Sequence, residues 1–211
     1  MKKKALAIIE LLKQQYPEAL CALQYEKDYE LMIAVRLSAQ CTDARVNLVT
    51  PALFAAYPTL ESIAGADIED IERYIHSCGF YRQKAKDIVL ACQMLISEYN
   101  CKVPDTMEDL LRLPGVGRKT ANVVLGDAFE VPGLPVDTHV IRLTNLIGLV
   151  KTEDAVEIER ILCSALPPEY WSQFSHQLII HGRTRCPARR PDCTNCEIRD
   201  LCKNFNRKTK K

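Results

Sequence analysis

A chain of 211 residues has room for one large or two small domains, and a hydrophobic content of 47% supports a packed core. No apolar run reaches the roughly 18 residues that span a membrane. The basic start Met-Lys-Lys-Lys leads into a short amphipathic stretch broken by Glu10, not into a signal peptide, so the expectation is a soluble, cytoplasmic protein. The net charge of +1 does not point to nucleic acid, but its distribution does. Residues 182–211 hold ten Lys/Arg and three Asp/Glu, a balance of +7, against −6 for the rest. A basic end on a mildly acidic body fits a patch that faces a polyanion. A solvated tail accounts for only the last five residues, Arg207 to Lys211.

In chain order, residues 3–15 read as a helix, apolar at Leu6, Ile9, Leu11 and Leu12. A second runs from about Tyr29 to Ala39 and a third from about Asp43 to Tyr57, with Thr42 or Asp43 as its cap. Between them Gln40 either belongs to that cap segment or projects from a surface loop. Asp67 starts a helix that stops at Cys78-Gly79. Phe80-Tyr81-Arg82 follows, then a long helix from about Gln83 to Tyr99. Phe80 and Tyr81 are either core filler or, on a loop, a wedge for a base stack. Further helices are expected over Met107–Leu111, Arg118–Ala128, Val136–Leu146, from Thr152 or Asp154, and from Pro167-Pro168 to Gly182. About ten helices, with no period-two alternation, predict an all-α fold.

The stretch Leu113-Pro114-Gly115-Val116-Gly117-Arg118-Lys119-Thr120-Ala121 joins two of these helices. Proline and two glycines break a helix interior, so the reading is a helix–hairpin–helix. Glycine lets the backbone approach a ligand, and the following helix N-terminus offers N–H groups to a phosphate oxygen. On turn chemistry alone a plain helix connection competes. The basic pair Arg118-Lys119 makes a DNA-phosphate hairpin a strong rival.

Of ten cysteines, Cys21, Cys41, Cys78, Cys92, Cys101 and Cys163 are scattered and read as small core residues. Cys186, Cys193, Cys196 and Cys202 are spaced C-x6-C-x2-C-x5-C within 17 residues. Four thiolates so close can converge on one centre, and soft sulfur selects zinc or iron–sulfur. Four-cysteine zinc sites are usually two separated C-x2-4-C knuckles. One knuckle flanked by single cysteines favours [4Fe–4S], with zinc and two disulfides as competitors. Arg189, Arg190 and Arg199 make this loop a basic surface.

Together these features resemble the endonuclease III family of helix-hairpin-helix DNA glycosylases. The matching residues are LPGVGRKTA (113–121), VDTH (136–139), LSAQCTD (37–43), His181-Gly182-Arg183 and the four-cysteine spacing. The resemblance spans nearly the whole chain. It implies an all-α fold with a six-helix domain over residues 22–132. A discontinuous cluster domain would take residues 1–21 plus 133–211, with DNA in a cleft between the two. It also implies a [4Fe–4S] cofactor on the four clustered cysteines. The expected partner is double-stranded DNA bearing damaged pyrimidines or abasic sites, met by a monomer associated with the nucleoid. Lys119 matches the family's catalytic lysine, Asp137 its catalytic aspartate, and Gln40 the glutamine that fills the gap left by a flipped nucleotide. Gly115, Val116, Gly117, Arg118 and Thr120 are expected at the DNA backbone, with Arg189 and Arg190 beside the cluster and Phe80 on the strand opposite the lesion. Two positions depart from the family: Cys41 stands where alanine is common, and Phe80 where leucine is common.

The chemistry implied is base release through a lysine Schiff base, then β-elimination that cuts the strand 3′ to the lesion. Each residue also has a plainer reading. Lys119 alone is a phosphate contact, Asp137 alone a helix cap, and His139 a structural residue. A monofunctional adenine glycosylase of the same superfamily would carry an acidic residue near Val35-Arg36 and lack Lys119. A non-catalytic DNA-binding module would not need the Lys119/Asp137 pair.

Overall fold

The computed structural model describes residues 1–208. Every regular element among them is helical. The α-helices are α1 Lys2–Gln15, α2 Asp28–Leu37, α3 Asp43–Ala56, α4 Leu60–Ala64, α5 Ile68–Ile75, α6 Tyr81–Glu98, α7 Met107–Arg112, α8 Arg118–Ala128, α9 Thr138–Ile147, α10 Ala155–Ala165, α11 Trp171–Thr184 and α12 Lys203–Lys208. The all-α expectation holds. The short helices α4 and α12 were not legible in the sequence, because five or six residues do not make a period. Of the five residues read as a tail, Arg207 and Lys208 belong to α12, and residues 209–211 lie outside the described residues.

The chain divides into two compact units. One comprises Ala22–Val131, and the other joins Met1–Cys21 to the chain from Pro132 onward.

In the Ala22–Val131 unit, α2 is the central helix. Leu31, Met32, Ile33, Ala34, Val35 and Leu37 are all buried. A helix apolar nearly all round has to be enclosed, and α3, α6 and α8 pack against it. Each of these side chains except Ala34 is worth roughly 1.5–3 kcal/mol when fully buried. Hydroxyl and carboxylate caps fix the starts of several helices. Thr42 accepts from the Arg45 N–H, Asp67 from Glu69 and Thr106 from Asp109.

In the other unit, α1 buries Ala5, Ile8, Ile9 and Leu12, the i, i+3, i+4, i+7 stripe of an amphipathic helix. Its partners include Val140, Leu143 and Ile147 of α9, Ile158 and Leu162 of α10, and Phe174 and Leu178 of α11. The segment 186–202 lies on this core through Ile198 and is otherwise irregular, with one turn of 3-10 helix at Arg199–Leu201.

Candidate functional site

The hairpin is built on a partly buried ion pair. Arg36 of α2 donates to Asp87 of α6 through Nε at 2.9 Å and Nη2 at 2.6 Å, and Gln83 holds the other carboxylate oxygen at 2.7 Å. Gly115 sits directly on this pair with φ +74°, and a Cβ there would lie 2.7 Å from Arg36 Nε and 2.8 Å from Asp87 Oδ2. The left-handed backbone and the close approach both require glycine. The ligand it approaches within this unit is thus the protein's own ion pair.

Gly117 differs. A Cβ there would meet nothing within 4 Å. It is the N-cap of α8 and has no side chain to bind the first-turn N–H groups. Arg118 and Lys119 are exposed in that first turn. Val116 is 7% exposed and Thr120 8%, so any DNA contact of theirs falls to the backbone. Gln40 and Phe80 are also on this unit and exposed, Phe80 by 69%. Phe80 is therefore not core filler. Both residues adopt left-handed backbone, φ 54° and 49°. Cys41 lies beside Cys78, whose thiol burial pushes up to about 11 with a further contribution from Cys41. Val35 is buried and Arg36 is committed to Asp87, so no carboxylate stands at the position an adenine glycosylase would use.

The second set of residues is on the other unit. Asp137 is the N-cap of α9, accepting from His139 N–H at 2.8 Å and Val140 N–H at 2.9 Å, both on Oδ1. The capping role is therefore met, and Oδ2 takes no part in it. His139 packs on α11 at Gly182, where an added Cβ would lie 2.9 Å from its Nδ1. Burial holds the His139 imidazole below its ordinary value, with Arg183 and Arg142 acting in the same direction against Asp137. This is the structural placement expected of it, and it explains the glycine in His181-Gly182-Arg183.

Five residues along α9, Arg142 reaches the cysteine segment, donating to Cys186 O at 2.8 Å and lying 3.9 Å from Cys186 Sγ. His181, 1% exposed, stands between the Tyr16 hydroxyl at 3.2 Å and Cys196 Sγ at 3.6 Å. Burial pulls it down to about 4, so the ring is neutral near pH 7. None of the four clustered cysteines is disulfide-bonded, and all four line one cavity of about 40 Å³ with Arg142 and His181. The two-disulfide alternative is not taken. Among the described residues no three His, Cys, Asp or Glu side chains close on a point as a single ion requires. Around this loop Arg185 pairs with Asp192 at 2.7 Å and with Glu197 at 3.0 Å. Arg189 and Arg190 are left exposed at its outer turn.

The pattern pointed to the hairpin, to Asp137 and to the cysteines. It did not point to Arg36, Asp87, Lys84 or Arg142. For Lys84 there was a signal: it lies four residues before Ile88 on the apolar stripe of α6, where a lysine has no ordinary place. Among the described residues no helix is long and apolar enough to cross a membrane.

Comparison with known proteins places these features in context. Residues 33–168 match the HhH-GPD superfamily of base excision DNA repair proteins. The chain is 50% identical to an endonuclease III of Synechocystis over 202 residues, covering 95% of this chain and 92% of the relative. It superposes with TM-score 0.94 on an endonuclease III solved in a non-covalent complex with DNA, at 42% identity, covering 100% of this chain and 99% of that one. A second structure, a trapped endonuclease III–DNA covalent intermediate, matches with TM-score 0.94 at 41% identity over 99% of both chains.

Proposed function

Since this chain belongs to the endonuclease III family, within the HhH-GPD superfamily of base excision DNA repair proteins, and is a DNA glycosylase with AP lyase activity, we propose that it acts on oxidised pyrimidines and abasic sites in duplex DNA, with Lys119 as nucleophile and Asp137 as its electrostatic partner. A damaged base inside the stack is out of reach, so the nucleotide is rotated out first. Gln40 fills the gap and Phe80 presses on the opposite strand. Phe80 is a larger wedge than the family's usual leucine. Its exposed, left-handed placement supports this role.

The Lys119 amine then attacks the sugar C1′. The C1′–N bond to the base breaks, and the base leaves with a proton. Asp137 stabilises the positive charge that develops on the sugar; its Oδ2, outside the cap, is the oxygen suited to this. The C1′–O4′ bond then breaks, O4′ taking a proton, and the Schiff base so formed acidifies the C2′ proton. Removal of that proton expels the 3′ phosphate oxygen, which cuts the strand 3′ to the lesion. The α8 N-terminus, uncapped by any side chain, would hold a phosphate through backbone N–H groups, with Arg118 beside it.

Cys186, Cys193, Cys196 and Cys202 would hold a [4Fe–4S] cluster, whose part is to staple this loop. Four sulfurs lining one cavity, in a C-x6-C-x2-C-x5-C spacing with one knuckle flanked by single cysteines, support a cluster over zinc. The loop then presents Arg189 and Arg190 to DNA phosphates. The site of action proposed is chromosomal DNA in the cytoplasm, engaged by a monomer.

The observation that carries this reading is Lys119 exposed in the uncapped first turn of α8. The test is borohydride trapping on a duplex containing thymine glycol. A covalent adduct is expected with the native chain and none with Lys119→Gln. Base release without an adduct would mean a monofunctional glycosylase and reduce Lys119 to a phosphate contact. Neither release nor adduct, with binding kept, would mean a DNA-binding module without this activity.

A further inference from the structure

Lys84 is one of the largest fully buried side chains, 1% exposed. Its ammonium meets no carboxylate among the bonds it makes. It donates to three backbone carbonyls, Leu37 O at 2.8 Å, Ala39 O at 2.8 Å and Cys78 O at 2.9 Å. An ammonium has three donors, and all three are used. Leu37 closes α2, and Cys78 closes the turn of 3-10 helix after α5. One cation therefore serves the carbonyl ends of two elements, where positive charge is favoured.

The placement of these carbonyls matters more than their number. Leu37 and Ala39 directly precede Gln40, and Cys78 lies two residues before Phe80. Gln40 and Phe80 are both exposed and held in left-handed backbone, as are Asn100, Cys101 and Glu130, and Gly79 beside Phe80 has φ 69°. Non-glycine residues persist there only when their surroundings over-determine them. The Lys84 backbone N–H also bonds Phe80 O at 3.1 Å, and the His76 and Tyr81 rings pack 4.4 Å apart across the same turn.

We propose that Lys84 is a positioning residue for lesion recognition: it ties the Gln40 loop to the Phe80 loop and so sets the spacing of the two side chains that enter the DNA stack. This rests on the reading that Gln40 and Phe80 contact DNA. Lys84 touches no substrate; it acts through the two loops. A sequence that needed only a filled core at this position would use methionine, which has the same reach and no desolvation cost.

The experiment compares borohydride-trapping rates at an abasic site in a duplex and in a single strand. A single strand has no opposite strand to fill, so the ratio isolates the wedge from the Lys119 chemistry. In Lys84→Met the duplex-to-single-strand ratio is expected to fall at least about tenfold, since ångström-scale misplacement of contacts costs up to about 10²-fold. A purely structural role would lower both rates together and leave the ratio unchanged. The Gln40→Ala/Phe80→Ala double variant is run alongside. If it lowers the ratio while Lys84→Met does not, the positioning role is overturned. If the double variant leaves the ratio unchanged, the reading of Gln40 and Phe80 fails, and the positioning role with it. Both chains are first checked for cooperative melting. Lys84→Gln, which keeps two donors, carries the same comparison if Lys84→Met does not fold.

Discussion

Helices α8 and α9 begin in opposite ways. At α8 the cap position is Gly117, with open space around it and no side chain for the first-turn N–H groups. At α9 the cap is Asp137, whose Oδ1 takes two of those N–H groups at 2.8 and 2.9 Å. The positive end of a helix attracts an anion in both cases. In α9 the chain supplies its own. In α8 no side chain takes that place, and Lys119 stands in the same turn. Glycine at the cap forgoes only a few tenths of a kcal/mol relative to aspartate, and it leaves those N–H groups without a side-chain acceptor.

The largest effect is expected at the self-capped helix. In Asp137→Asn the amide oxygen can still cap, because Asn caps about as well as Asp. The melting temperature should barely move, while single-turnover base release falls by about 10²–10⁴. Release at the native rate would leave Asp137 a cap and nothing more.

Next comes the turn that delivers α8. Gly115→Ala meets a positive φ and the Arg36–Asp87 pair at once. Urea unfolding should show a loss of about 1–3 kcal/mol, and an unchanged midpoint would show that the pair can move aside.

The smallest effect on stability, and the sharpest on the comparison, comes from giving α8 the cap of α9. The φ of Gly117 is −96°, so Gly117→Asp introduces no backbone strain. A gain of a few tenths of a kcal/mol in stability is expected, together with weaker binding to an abasic duplex in a titration at fixed salt. Undiminished affinity would mean that the first-turn N–H groups of α8 hold no phosphate.

Most of the fold was legible because most of it is periodic. The α8 bounds, Arg118–Ala128, are those read from the sequence. Thr42 and Asp154 proved to be the caps where the sequence offered two candidates each, Thr42 or Asp43 and Thr152 or Asp154. Helix α6 starts two residues before the expected Gln83, at Tyr81, since the left-handed Phe80 launches it. That departure is not periodic, and no composition rule announces it. Arg36, Asp87 and Arg142 were not legible as a group. Each looks like a surface charge until the partner it meets, 51 residues away for Arg36 and 44 for Arg142, is known.

By itself, the sequence determined an all-helical chain, a hairpin broken by Pro-Gly-x-Gly, an acidic cap at Asp137 and a four-thiol segment, because helix period, turn chemistry and ligand spacing are local properties. Only the tertiary structure decided that Gly115 rests on an ion pair while Gly117 faces open space, that Phe80 stands out from the core, and that Lys84 spends its three donors on two distant loops. Those outcomes depend on which segments pack together. Burial energy is summed over a whole core, and no short stretch of residues carries it.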